Sequence, residues 1–244
     1  MHRFYCPQLN LHGAQVAITD SKELHHLRDV LRLKKGDVLT IFNKEGEEAT
    51  GRILGSQSAQ VTVAIESLRE DIPTPPVIIL ACAIPKKSKF ELIIEKATEL
   101  GVDEIIPLKT KRTEIDLKGD RLARKVFRYQ DVAANAAKQS RRLRVPVIHP
   151  ITDFTSVMKL FLKETTIFIP SLAGERKNIL ETFISVPSPS RVAFLIGPEG
   201  DFTPQEYAFA RTHGCIGVSL GETVLKVETA AVVAVACAQL WFRQ

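Results

Sequence analysis

The chain has 244 residues and a net charge of +5, with 45% hydrophobic and 25% charged residues. That balance is ordinary for a globular protein and excludes wholesale disorder. The longest apolar run, 230–242, is too short to span a bilayer, and the start MHRFYCPQLN lacks the basic and apolar stretches of a secretory signal, so a cytoplasmic address is expected.

Residues 1–72 read as a small, mostly β domain. Short apolar or alternating segments at 14–18, 37–42, 48–54 and 59–68 are punctuated by Gly, Asn and Ser. One helix, 20–33, interrupts them, with Asp20 as its N-cap and Glu23 placed to reach back in a capping box. Small β-barrels with one helix are frequent nucleic-acid modules, an argument by analogy. The proline-rich stretch EDIPTPPV (70–77) is a stiff connector, which places a domain boundary between 72 and 73.

From 73 to 244 the pattern alternates. Strands are expected at 77–83, 102–108, 165–170, 191–197 and 215–221. Helices are expected at 88–100, 119–140, 203–213 and 227–242. Ser88 and Glu91 form a capping box for the first, and Thr203 and Glu206, with Pro204 in the first turn, do so for the third. Unbroken apolar strands taking turns with helices indicate an α/β fold, a parallel sheet covered on both faces.

Ligands of such sheets bind beyond the carboxyl ends of the strands. Three late strands end there in unusual loops, IPSLAGE (169–175), GPEGD (197–201) and LGETVLKVET (220–229). Glycine allows close backbone approach and positive φ, and proline fixes the path, so the loops offer a compact ligand preset amides and carbonyls. The P-loop, dinucleotide, nucleophile-elbow and zincin motifs are absent, which disfavours a cradled triphosphate or dinucleotide. The four cysteines include no C-x-x-C, and the adjacent pair His25 and His26 is poor ligand spacing, so no metal is expected. Residues 109–144 hold twelve Lys and Arg against four acids. A solvated helix face is one explanation and a polyanionic partner the other; the run QSRRLR, with no acid interleaved, favours the partner.

IGPEGDFTPQE (196–206) followed by VSLGETVLKVETAAVVA (218–234) resembles the C-terminal signature of the SPOUT methyltransferases. Within them it is most similar to the bacterial small-subunit rRNA uridine-N3 methyltransferases, the RsmE family. HHLRDVLRLKKGD (25–37), KSKFELIIEKATELGVDEIIPLKTKRTE (87–114) and AAKQSRRLRVP (136–146) resemble further motifs of that family in order. The resemblance implies a SPOUT-type parallel sheet with a C-terminal trefoil knot, preceded by a PUA-like β-barrel domain. It also implies S-adenosyl-L-methionine as cofactor, 16S rRNA of the small ribosomal subunit as substrate, and a homodimer. The cofactor positions it carries over are Ile169 and Pro170, then Ile196, Gly197, Pro198, Glu199 and Gly200, then Leu220, Gly221, Thr223, Val224 and Leu225. The family pattern LGPRILRTET becomes LGETVLKVET here, so Glu222, Thr223 and Lys226 depart from it; lysine keeps the charge but loses the planar fork of arginine.

The implied reaction moves the sulfonium methyl in line onto uridine N3, with loss of the imide proton. Glu199 and Lys226 are the candidate catalytic residues. Glu199 reads either as the base or as an acid ordering its own loop, and Lys226 either as an RNA contact or as a charge favouring the uridine anion. The target uridine must be unpaired or flipped out, because N3 is buried in a base pair. Phosphate contacts are expected from Arg28 and Arg32, four apart on one helix face, from Lys86 and Lys89, and from Arg112, Arg141 and Arg142. Glu228 and Thr229 read as capping the last helix, whose end, Trp241 and Phe242, is either core or faces a second subunit. Two other readings stay open: a SPOUT enzyme acting on another RNA atom such as the ribose 2′-oxygen, and a non-catalytic ribosome-binding factor.

Overall fold

A computed structural model describes residues 1–86, 89–113, 119–161, 164–171, 176–186 and 188–243. The expected cap Ser88 and residues 172–175 of the first loop lie outside them. The chain divides into two compact units, 1–73 with 137–145, and 74–136 with 146–244.

In the first unit, strands β1 (His2–Tyr5) and β2 (Gln15–Ile18) are followed by helix α1 (Ser21–His25) and by β3 (Val38–Phe42), β4 (Glu47–Gln57) and β5 (Gln60–Glu70). The sheet order is β1-β3-β4-β5-β2, with β1 parallel to β3 and the other pairs antiparallel. Register shifts at Thr50/Gly51 and Ile53/Gly55 mark bulges, which bend a strand. Phe4, Ile18, Leu24, Leu27, Leu39, Ile41, Val61 and Val63 form its core. Asp20 caps α1 by accepting the Glu23 N–H at 2.9 Å. Glu23 does not reach back; its buried carboxylate pairs with Lys138 instead.

The helix expected through Leu33 stops early. After His25 it widens into a π-helical turn, His26–Val30, where the Leu31 N–H reaches the His26 carbonyl. Arg32 then turns left-handed at φ 55°. A single π turn of this kind interrupts the α-helical register, so Arg28 and Arg32 do not share a helix face.

Residues 137–145 belong to this unit through specific bonds. The Arg3 guanidinium donates to the carbonyls of Ala137 (3.0 Å), Lys138 (3.3 Å) and Arg142 (2.9 Å), and it pairs with Glu48. The carbonyls of Ala137 and Lys138 belong to the last turn of a helix, where no intrahelical donor remains. Arg144 binds Asp71 at 3.1 Å.

The second unit begins with β6 (Val77–Ala83), α2 (Lys89–Glu99), β7 (Glu104–Lys109) and α3 (Asp120–Ser140), whose last four residues lie in the first unit. There follow β8 (Val147–Ile148), β9 (Thr152–Asp153), α4 (Phe154–Leu160), β10 (Thr165–Pro170), β11 (Lys177–Asn178) and α5 (Ile179–Ile184). The chain ends with β12 (Arg191–Ile196), α6 (Pro204–Thr212), β13 (Ile216–Ser219) and α7 (Val227–Phe242). Every strand pair is parallel, in the order β11-β13-β10-β12-β6-β7-β8, with β9 also on β7.

Strand alternation splits the core between the two faces. Ile79, Ala81, Ile106, Ile167, Ile169, Ala193 and Leu195 pack with Phe154, Met158 and Phe202. Phe168 and Phe194 stack at 5.4 Å and meet Phe183 of α5, which meets Phe242 of α7 at 4.8 Å. The Thr203–Glu206 capping box and Pro204 start α6 as the sequence predicts. No helix among the described residues is long and apolar enough to cross a membrane.

Candidate active site

β13, β10 and β12 are neighbours and run the same way. Their carboxyl ends therefore open side by side, and the loops that leave them enclose a cavity of about 380 Å³, within the range of small-ligand sites. Its walls include Pro170 and Ser171 after β10, Ile196, Gly197, Pro198, Glu199 and Asp201 at the end of β12, and Leu220, Gly221, Thr223, Val224 and Leu225 after β13. Lys226, Val227 and Glu228 continue the wall into α7, and Lys89 enters from the start of α2.

The middle loop is held from several sides. A Glu199 oxygen accepts the backbone N–H of Lys86 at 3.0 Å. The Arg112 guanidinium donates to the Gly200 carbonyl. Asp201, left-handed at φ 62°, accepts from its neighbour Phe202 (2.8 Å) and from the Tyr207 hydroxyl (2.7 Å). Burial, with that bond to Asp201, holds the Tyr207 phenol protonated well above its ordinary range. A Cβ on Gly197 would sit 3.2 Å from the Asp201 carboxylate and from the Phe202 ring, so only glycine fits the corner without displacement. The third loop turns at Gly221, φ 130°, and Ser219 bonds to the Gly221 carbonyl at 2.9 Å.

Three acids (Glu199, Asp201, Glu228) and three bases (Lys89, Arg176, Lys226) share the lining with Ile196, Leu220, Val224 and Leu225. Lys89 bonds Glu228 at 2.9 Å and holds its carboxyl below the usual range. Cys82 is fully buried; burial, then the charges of Glu199 and Glu228, push its thiol far above the ordinary value. It is no nucleophile at neutral pH.

Other sequence-predicted residues are placed differently. Ile169 is 2% exposed, packed in the sheet core and not in the cavity lining. Gly200 does not line the cavity either; its α-carbon faces the Arg112 side chain. Glu228 does not cap α7, whose N-cap is Lys226 without a side-chain bond; Glu228 lies in the first turn, where its charge suits the helix dipole. Arg28 is tied to the β4–β5 turn through Ser56 (3.0 Å) and the carbonyls of Ser58 (2.7 Å) and Gln60 (3.0 Å). Arg32 and Arg141 are exposed residues in left-handed turns, and Arg142 gives its carbonyl to Arg3. These four belong to the first unit, whereas Lys86, Lys89 and Arg112 all engage the cavity loops. Ser171, Arg176, Asp201 and Ser219 line the cavity beyond the sequence-based set. Each lies within a residue of a loop or strand already singled out. Among the described residues one trio, His12, Glu47 and Glu70, brings ligand-type atoms within 4.8 Å, and His12 and Glu47 are already joined at 2.6 Å.

A family described as the RNA methyltransferase domain matches residues 73–239. The chain belongs to this family. A second family, the RNA methyltransferase PUA domain, matches residues 18–66. The ribosomal RNA small subunit methyltransferase E of Synechocystis is 34% identical over 91% of this chain and 72% of its own length. The protein of that name from Mycobacterium bovis is 31% identical over 95% and 88%. A crystal structure of ribosomal RNA small subunit methyltransferase E from Neisseria gonorrhoeae bound to S-adenosyl methionine has a TM-score of 0.87 and 29% identity, covering 99% of this chain and 98% of that one.

Proposed function

We propose that the chain is an S-adenosylmethionine-dependent rRNA methyltransferase that modifies N3 of a uridine in 16S rRNA of the small ribosomal subunit. The observation that carries this reading is the convergence of three Gly/Pro-bearing loops on one cavity at adjacent strand ends, in a chain of the RNA methyltransferase family. The cavity suits the cofactor. Ile196, Leu220, Val224 and Leu225 offer an apolar slot for a flat ring, the bare Gly197 corner admits a ligand against backbone, and three carboxylates surround a place for a cation.

When bound, S-adenosylmethionine supplies a methyl group on positively charged sulfur. The chain's own residues position and shield. The apolar side chains exclude water, and the carboxylates of Glu199, Asp201 and Glu228 offer acceptors to the cofactor's cationic groups, although the Lys89 ion pair already balances Glu228. With one oxygen on the Lys86 N–H, Glu199 is assigned to holding its loop against the start of α2. Lys226, exposed at the wall, is assigned to the negative charge that the uridine ring acquires as N3 loses its proton. Fixing the two reactants in line accounts for much of the acceleration.

The PUA match over 18–66 supports an RNA-binding role for the first unit, residues 1–72 above all. Exposed Ile184, Leu240 and Trp241 at the ends of α5 and α7 support a homodimer. A trefoil knot is supported by the path after β12: the chain passes beyond β10 to form β13 on its far side, then returns as α7 to pack on β12 and β6.

The test is incubation with small ribosomal subunits and methyl-labelled cofactor, followed by digestion to nucleosides. Labelled 3-methyluridine is the expected product; 2′-O-methyl nucleoside in its place refutes the atom assignment, and no labelled product refutes the activity.

A further inference from the structure

Helix α3 carries a feature that the cofactor cavity leaves unexplained. Residues 121–130 hold four cations, Arg121, Arg124, Lys125 and Arg128, and no acid. In their midst Phe127 is 71% exposed. Its neighbour two positions on, Tyr129, is fully buried against Phe90 of α2 at 4.9 Å, with Lys125 over its ring. Residues two apart on a helix point about 200° from each other. Burying Tyr129 therefore turns Phe127 outward, with Arg124 one turn away on the same surface.

The place of this face matters. β7, α3 and β8 form a parallel crossover, so α3 starts from the end of the sheet where the cavity opens. Arg128 bonds Glu91 of α2 at 2.8 Å, and the same helix begins with Lys89 in the cavity wall. The basic helix thus lies one helix away from the reacting centre.

We infer that the Phe127 face of α3 is a docking surface for unpaired RNA beside the modified nucleotide, with the Phe127 ring stacking on a base and Arg121 and Arg124 holding phosphates. An exposed ring within a cluster of cations matches a polyanion that carries flat apolar faces, the chemistry of single-stranded nucleic acid. The inference rests on the reading of the chain as an RNA methyltransferase and adds a surface that none of the cofactor loops contains.

The test uses full-length protein and small ribosomal subunits lacking the methylation. Phe127→Ala should raise the KM for subunits about tenfold, and Phe127→Trp should stay within about twofold of the wild type. Cofactor binding by calorimetry should be unchanged in both. Arg124→Ala should lower the slope of log affinity against log salt by about one. In a Trp241→Phe background, which removes the only native tryptophan, the fluorescence of Phe127→Trp should be quenched when a 12-nucleotide oligouridylate is added. An unchanged KM for Phe127→Ala overturns the assignment, and so does a change in oligomeric state by light scattering, which would give this face to a second copy of the chain. Direct retention of subunits on filters reads the surface without turnover. A wild type that binds subunits through Phe127 but does not methylate them therefore refutes the proposed activity and spares the surface.

Discussion

Gly197 shows how one missing side chain shapes the site. The strand ends at Ile196, and the chain must turn between the Asp201 carboxylate and the Phe202 ring, each 3.2 Å from where a Cβ would stand. The neighbours cannot easily yield. Asp201 is held by the Tyr207 hydroxyl, and Phe202 is 2% exposed in the core. Gly197 also lines the cavity, so a large side chain here crowds both the corner and the ligand space. Gly197→Trp is expected to weaken S-adenosylmethionine binding at least a hundredfold by calorimetry, while the circular dichroism spectrum stays that of the folded wild type. Wild-type affinity in this variant would remove the loop from the binding site. Arg112 acts on the same corner from outside by holding the Gly200 carbonyl. Read from sequence as a phosphate contact, Arg112 is also a brace for the loop.

At the scale of elements, the sheet is stapled at its amino end as well as loaded at its carboxyl end. Glu104 opens β7 and receives His149, just past β8, at 2.8 Å and Arg191, the first residue of β12, at 2.8 Å. The His149 bond, and then the Arg191 charge, hold its carboxyl below 4.5 against the opposing effect of burial. A depressed folded-state pKa gives stability that is complete above the unfolded value and is lost as pH falls through the folded one. Glu104→Gln should therefore cost about 1 kcal/mol at pH 7, a modest figure because the cluster is only part-buried. That corresponds to roughly 3 °C in the melting transition. The gap to the wild type should close as pH drops below 4.5; a gap that stays constant or widens in acid would show that the carboxylate charge is not what the staple uses.

Elements differ in how plainly their residues announce them. β6, β10 and α7 appear at the bounds expected from sequence: β6 is an unbroken apolar run of seven residues, β10 centres on Ile167, Phe168 and Ile169, and α7 carries an unbroken apolar stretch from Ala230 to Ala238. β8, β9 and β11 have two residues each, too few for any period to show. α4 and α5, at seven and six residues, complete barely two turns. β1 is hidden because its second residue, Arg3, faces inward to an ion pair that only the fold creates. The π turn after His25 depends on a hydrogen-bond shift that no residue pattern encodes. In the site, the Gly and Pro loops are legible because those residues constrain the backbone directly. The inward direction of Ile169 follows from strand alternation with Ile167, a signal present in the sequence that the loop-based reading of 169–175 passes over.

For the whole molecule, the path of the chain decides what a truncation can mean. The sequence places a boundary at 72/73, but residues 137–145 sit with the first unit, gripped by Arg3, Glu23 and Asp71. Those partners are costly to remove. Arg3 is 9% exposed in its side chain and satisfies two carbonyls in the last turn of α3 and that of Arg142 just beyond it, and Glu23 is a buried carboxylate whose charge Lys138 balances. A chain of residues 74–244 keeps every residue that lines the cavity, yet loses the donors and acids that close the helix end. Two readouts should therefore separate. S-adenosylmethionine affinity should stay within a few-fold of the full chain, because the three loops and their braces at Lys86, Arg112 and Tyr207 are retained. Amide exchange at 137–145 should rise from protected to nearly free, since local stability follows local contacts. Methylation of small ribosomal subunits should fall by at least a hundredfold. If the truncated chain methylates at the full rate, residues 1–73 have no part in holding RNA. If it loses the cofactor as well, the cavity depends on the first unit in a way its lining residues do not reveal.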